Sequence, residues 1–385
     1  MAAQRTAGGG GTGPANGKGV LLAAAALCAV ILTVTGVLVA VLPEPEQEGH
    51  RLPALARSHG IDLGVAVAVD PLDRDRRYRG LVEDHYTSVT AENTMKWEHV
   101  QPERGEYDWS GPDAVVDFAA DNGLGVRGHT MLWHNQQPAW LAEGDWDAEE
   151  LSAVVHEHVT TVMERYRGRI GAWDVINEPL EDGGPQMRRN LWYEVLGPDY
   201  IARTLYSAHA ADPDAALYIN EFGIESAGPK ADALYDLVAG LVERGVPVHG
   251  VGFQSHFVHG NVPDDLAEQM RRYTDLGLEV AVSELDVRVD APVTDEDLRE
   301  QRQEYHDVLT ACLEVEGCVN VTVWGVTDAH SWIPEWFPGT DAALPFDTAY
   351  RPKPALSGMV DALSRRGRRP GPARGARPRP PGAAP

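Results

Sequence analysis

The sequence predicts an α/β fold, a (β/α)8 barrel of the TIM type, built as one domain over residues 51–364. Three observations carry this reading. Eight short apolar runs alternate with longer amphipathic stretches, and strand–helix alternation sustained over such a length implies parallel pairing. No Pro/Gly/Ser-rich break divides the body, and a hydrophobic content of 43% is enough for a single large core. A doubly wound open sheet would need a Gly-rich phosphate turn or another crevice signal, and none is present.

In chain order, residues 1–19 are Gly-rich and read as a disordered segment. Residues 20–42, VLLAAAALCAVILTVTGVLVAVL, form an uncharged apolar run of 23 residues. That is longer than a typical signal-peptide core and long enough to cross a bilayer as a helix. Arg5 and Lys18 precede it and PEPEQE follows, so the N-terminus is expected in the cytoplasm and the body outside. No clean A-x-A site ends the run, which favours an uncleaved membrane anchor over a cleaved signal. The expected location is extracytoplasmic, secreted or anchored through the N-terminal helix. Residues 43–50 read as a polar linker.

The strand candidates are IDLGVAVAV (61–69), YTSVTAEN (86–93), LGVRGHTMLW (124–133) and IGAWDVINE (170–178). They continue with ALYINE (216–221), VHGVGFQSH (248–256), LEVAVSELD (278–286) and NVTVWGV (320–326). Helical periodicity fills the gaps. Over 149–166 it places Leu151, Val154, Val155, His158, Val159 and Val162 on one face, and it recurs over 231–243. Cys312 and Cys318, six apart, suit a short disulfide loop in an oxidising compartment, with two free buried thiols as the alternative. Residues 365–385, RRGRRPGPARGARPRPPGAAP, are an Arg/Pro-rich tail that cannot pack a core and reads as disordered.

Charge narrows the partners. Of 33 basic side chains, two precede the apolar run's end and seven lie in the tail, leaving 24 in residues 43–364 against all 58 acids, a net of −34. Such a body repels nucleic acid.

In a barrel of this kind, chemistry gathers at the C-terminal ends of the strands. Those ends are polar throughout. They carry Glu92, Asn93 and nearby Lys96; His129, Trp133 and His134; Asn177 and Glu178; Asn220 and Glu221; Gln254, Ser255 and His256; Glu284 and Asp286; and Trp324, with Trp332 in the next loop. Singly, each has a plainer reading as a solvated strand end or a core aromatic. Together they converge on one mouth. Glu178 and Glu284 close strands on opposing sides, the minimum equipment for glycosidic cleavage by an acid and a nucleophile or base. Glu284 and Asp286 are two apart and share a strand face, so a Glu284–His256–Asp286 hydrogen-bonded chain is sterically feasible. Asp174 is placed on the same face as Glu178, while Glu181 and Asp182 are expected to be solvated. Trp324 and Trp332 offer flat apolar faces to sugar rings. The histidines show no metal-ligand spacing, and no cofactor motif is present.

The motifs ENTMKWE, GHTMLWHNQQPAW, WDVINEP, YINE, GFQSH, VSELDV and VTVWGVTDAHSWIPEW, in this order, closely resemble glycoside hydrolase family 10, the endo-β-1,4-xylanases. The resemblance spans about residues 51–363. It implies retaining hydrolysis of internal β-1,4 bonds in xylan or xylo-oligosaccharides by a monomeric catalytic domain without cofactor or metal. Glu178 matches the family's acid/base and Glu284 its nucleophile, with His256 and Asp286 supporting the latter. Glu92, Asn93, Lys96, His129, Trp133, Gln136, Asn177, Gln254, His256, Trp324 and Trp332 match substrate-binding positions. The resemblance also implies that Cys312 and Cys318 are bonded, and that large aromatics at 324 and 332 leave little room for the hydroxymethyl group of glucose. Two positions depart from the pattern: Ser283 stands for the usual Thr, and Phe222 where a Tyr is common, which puts an aglycone-side contact in doubt. A related barrel glycosidase acting on other β-glycans and a non-catalytic glycan-binding protein are the alternatives.

Overall fold

Left-handed Gly60 (φ 76) stops the first helix, Leu52–His59, and turns the chain into strand β1, Asp62–Val67. The computed structural model describes residues 51–365. The expectations for residues 1–50, and for the tail beyond Arg365, lie outside the described residues.

After β1 come β2 (Ser88–Ala91), β3 (Gly125–Leu132), β4 (Ala172–Asn177), β5 (Ala216–Glu221) and β6 (Gly250–Phe253). A short β7 (His256–Val258), a long β8 (Glu279–Asp290), β9 (Cys318–Val323) and a two-residue β10 (Thr340–Asp341) follow. Strands β1 to β6, β8 and β9 pair in parallel with their neighbours, and β9 returns to β1 with Asp62 opposite Asn320 and Val65 opposite Val323. The sheet thus closes into an eight-stranded barrel with helices around it, as predicted. Nearly every strand position is buried, as expected where side chains fill the barrel on one face and helices cover the other. Gly128 on β3 leaves room for the neighbouring Trp173, because a Cβ there would lie 2.0 Å from that ring.

The outer layer follows the helical periodicity. In the helix Ala148–Arg165, Leu151, Val154, Val155, His158, Val159, Val162 and Met163 are buried. Each fully buried Val or Leu contributes about 1.5–3 kcal/mol before chain entropy is subtracted. Asp147 caps the helix by accepting from the N–H groups of Glu149 and Glu150. His158 is stacked on Trp97, centroids 3.7 Å apart, and burial pushes its imidazole pKa down to about 3. Among the described residues, no helix is long and apolar enough to cross a membrane.

Most strand boundaries shift by a residue or more from the sequence expectation, and three of the shifts bear on the site. The fourth strand ends at Asn177, before Glu178, because Glu178 adopts a left-handed backbone (φ 53). Pro179 follows the break. The sixth strand does not run to His256: it stops at Phe253, Ser255 turns left-handed (φ 62), and His256 opens β7, where it pairs opposite Asp286. The Glu225 carboxylate holds that turn by accepting the Ser255 N–H at 2.8 Å. The seventh predicted strand extends to Asp290, carrying β7 and β10 as extra partners above the barrel rim.

Candidate active site

Each turn above brings a polar side chain to the same end of the barrel. Glu284 lies in β8 and is buried. Its Oε1 accepts from Asn220 Nδ2 at 2.6 Å, with His129 Nδ1 3.9 Å away, and its Oε2 lies 3.2 Å from His256 Nε2. Burial acts to raise the Glu284 pKa, but the nearby His129 and the hydrogen bond from His256 outweigh it, so the carboxylate sits below its usual range.

His256 in turn places Nδ1 3.0 Å from Asp286 Oδ2, and the Trp332 indole donates to the same oxygen at 2.9 Å. Burial alone would lower the His256 pKa; the charges and hydrogen bonds of Asp286 and Glu284 raise it to about 10. The imidazolium is therefore a fixed cation between two carboxylates. The Glu284–His256–Asp286 chain read from strand spacing is present.

Glu178 faces this group from the turn after β4. Trp133 Nε1 donates to its Oε2 at 2.7 Å and Gln254 Nε2 to its Oε1 at 3.1 Å, with Asn177 Nδ2 at 3.4 Å. Two amide side chains bridge the carboxylates: Asn220 Nδ2 donates both to Asn177 Oδ1 at 2.8 Å and to Glu284. Ser283 completes Asn220 by donating to its Oδ1 at 2.6 Å, so serine supplies the needed hydroxyl. Only glycine fits at position 252, since a Cβ there would lie 2.1 Å from that same oxygen.

The polar cluster of β2 and β3 lies alongside. Lys96 donates to Asn93 Oδ1 at 3.0 Å and sits 4.8 Å from the centroid of Trp133. Gln136 (φ 47) donates to Glu98 Oε1 at 3.0 Å and reaches toward Asn93. Burial raises the Glu92 pKa against the opposing charge of Lys96, and burial lowers the Lys96 pKa although Glu284, Glu92 and Glu178 oppose it. Trp324 meets His129 edge-on with centroids 5.1 Å apart, and Trp332 lies 4.9 Å from His256. All thirteen substrate and catalytic candidates thus gather at one rim, and Asp286 with them.

Several contributors carried no motif weight of their own. Asn220 is adjacent to the carboxylate of YINE, and only the β4–β5 register, Asn177 opposite Asn220, brings its amide between the two glutamates. His134 lies 3.6 Å from Glu178 Oε2, and burial pushes its pKa down although Glu178 opposes this. Asp174 does not touch Glu178. It is buried against Arg127 and accepts from His129 at 3.1 Å, and these two hold its pKa down against burial; a register shift between Asp174 and Ile176 breaks the simple alternation. Asp182 and Glu181 are not merely solvated. Asp182 pairs with Arg188, whose Nε donates to the Glu178 carbonyl at 3.1 Å, and Glu181 accepts the Arg189 N–H at 3.0 Å. Cys312 and Cys318 are joined in a disulfide.

Residues 51–362 match the family model for glycosyl hydrolase family 10. Endo-1,4-beta-xylanase A of Phanerodontia chrysosporium is 41% identical over 313 residues, covering 80% of this chain and 76% of that protein. Endo-1,4-beta-xylanase of Agaricus bisporus is 40% identical over 279 residues, covering 72% and 84% respectively. Among solved structures, xylanase 10B of Thermotoga petrophila in complex with xylobiose superposes with a TM-score of 0.79 at 34% identity, covering 81% of this chain and 96% of that one. A match across the whole barrel, together with these identities, means that the chain belongs to glycosyl hydrolase family 10.

Proposed function

We propose that this chain is an endo-β-1,4-xylanase, hydrolysing internal β-1,4-xylosidic bonds with retention of configuration. The observation that carries the reading is the paired environment of two carboxylates. Glu284 is held ionised by Asn220 and the His256 imidazolium, while Glu178, bridged to it through Asn177 and Asn220, receives only neutral donors from Trp133, Gln254 and Asn177. In the first step Glu284 attacks the anomeric carbon and Glu178 gives its proton to the departing glycosidic oxygen. The bond to the leaving sugar breaks as the bond to Glu284 forms. In the second step the Glu178 carboxylate takes a proton from water, whose oxygen attacks the same carbon and releases Glu284.

The hydrogen bond from Trp332 to Asp286 fixes the indole beside His256, and the Phe337 ring packs edge-on at 5.4 Å. A tryptophan held on both sides cannot swing away from a bulkier sugar, which supports xylose over glucose. Reducing-sugar release from xylan and not from cellulose is the expected outcome of a polysaccharide panel. An NMR time course on xylo-oligosaccharides is expected to show the β-anomer first; early α-anomer would exclude the scheme. Replacing Glu284 with Gln is expected to cut kcat by about four orders of magnitude or more, since no other group at the mouth can form the covalent intermediate.

An extracytoplasmic location is part of the proposal. The apolar run 20–42 and the bonded Cys312–Cys318 pair support it. Membrane and culture fractions probed for the chain test it, and a wholly cytoplasmic distribution would contradict it.

A further inference from the structure

A buried ion pair behind the candidate acid has no part in the chemistry described so far. Glu221, the last residue of β5, is fully buried, and Lys230, in the first turn of the helix Pro229–Glu243, is buried beside it. The Lys230 ammonium lies 3.0 Å from Glu221 Oε1 without hydrogen-bond alignment, and 3.6 Å from the centroid of the Phe222 ring. Replacing such a pair by apolar residues is often neutral or stabilising, so stability alone does not explain it.

The contacts of the carboxylate suggest its task. Oε2 accepts the N–H of Leu180 at 3.1 Å, and Oε1 accepts the N–H of Phe222 at 3.1 Å. Leu180 is two residues past Glu178, on the far side of Pro179, where β4 has ended and the chain is left with an isolated antiparallel bridge to Met187. Glu178 itself sits at φ 53, a region that penalises any residue with a Cβ. Its own N–H donates to the Asn220 carbonyl at 2.8 Å. Strand β5 therefore grips the strained turn at two points, through a backbone carbonyl before Pro179 and a side-chain carboxylate after it. Both backbone groups on Glu221 are donors, and an ionised carboxylate offers both of its oxygens to them as acceptors. Burial raises the Glu221 pKa, and Lys230 is the largest influence opposing that rise, so the ammonium is what favours the ionised carboxylate.

We propose that Glu221 and Lys230 are positioning residues for Glu178: their ion pair pins the Leu180 N–H and thereby aims the acid at the glycosidic oxygen. The inference rests on the reading of Glu178 as the general acid. Neither residue touches the reacting atoms.

The test compares two leaving groups. Departure of a sugar alcohol needs the acid, whereas departure of dinitrophenolate does not. For Glu221→Gln and Lys230→Met, kcat/KM on xylotetraose is expected to fall by about tenfold or more, while kcat/KM on 2,4-dinitrophenyl β-xylobioside changes by less than about threefold. Because kcat/KM reports the first irreversible step, the later need for a base does not enter. Titration with a 2-deoxy-2-fluoro-xylobioside, which requires only Glu284 to react, counts intact sites in each preparation. Equal loss on both substrates, no loss on either, or variants with no titratable sites would overturn the proposal. Glu178→Gln, run alongside, separates the two levels. If it shows no leaving-group dependence, the acid assignment fails; if it does and the other two do not, only the positioning role fails.

Discussion

His256 shows how far a single residue's behaviour is set by what surrounds it. Free imidazole would be mostly neutral at pH 7, yet between Asp286 and Glu284 its pKa rises from 6.5 to about 10. A group whose folded pKa is raised contributes stability that is fully present below the unfolded value and is lost as pH climbs through the folded one. Stability against thermal unfolding is therefore expected to fall between pH 6.5 and about 10, and a His256→Gln variant is expected to lack that part of the slope. Glu284 has the opposite sign: its lowered pKa contributes stability above 4.5 that is lost as pH falls. The three-residue chain was legible because two carboxylates two apart on a strand must share a face. The role of Asn220 was not, since nothing local distinguishes it from any polar strand end.

At the scale of elements, the strands end where the chemistry begins, and the endings are tertiary. Glu178 and Ser255 both turn left-handed although neither is glycine. Each turn is held by a carboxylate at or after the end of β5, Glu221 for the first and Glu225, in the following loop, for the second. Helix boundaries are more local. Asp147 caps one helix, and Thr294 with Asp297 forms a capping box on the helix Asp295–Leu313. Asp147→Ala is expected to cost about 1 kcal/mol in denaturant unfolding without changing kinetics. The disulfide ties the end of Asp295–Leu313 to the start of β9, the strand that closes the barrel. Because the loop is short, replacing both cysteines by serine is expected to cost about 2 kcal/mol, read as a lower unfolding midpoint.

Over the whole molecule, the dominant physical fact is charge. Residues 43–364 carry a net of −34, and surface pairs such as Arg169–Asp117 and Arg244–Asp199 are exposed and individually worth little. Self-repulsion should then destabilise the compact state at low salt. Raising ionic strength from about 0.01 to 0.15 M shortens the screening length from about 30 to 8 Å. A rise in Tm over that range is expected; a fall would mean that the surface pairs outweigh the net repulsion. The same excess of acid keeps polyanions away while leaving a neutral polysaccharide unaffected.

The sequence by itself determined the barrel, because alternating apolar runs and amphipathic helices with no domain break have few other ways to bury their faces. It also determined the roster at the mouth, because a parallel barrel must bring every strand's C-terminal end to the same rim. Tertiary structure alone decided the turns at Glu178 and Ser255, the amide bridge through Asn177 and Asn220, and the placing of Asp174 against Arg127 and His129. Those depend on strand register and on contacts between residues some 30 to 77 positions apart. No local pattern encodes such contacts.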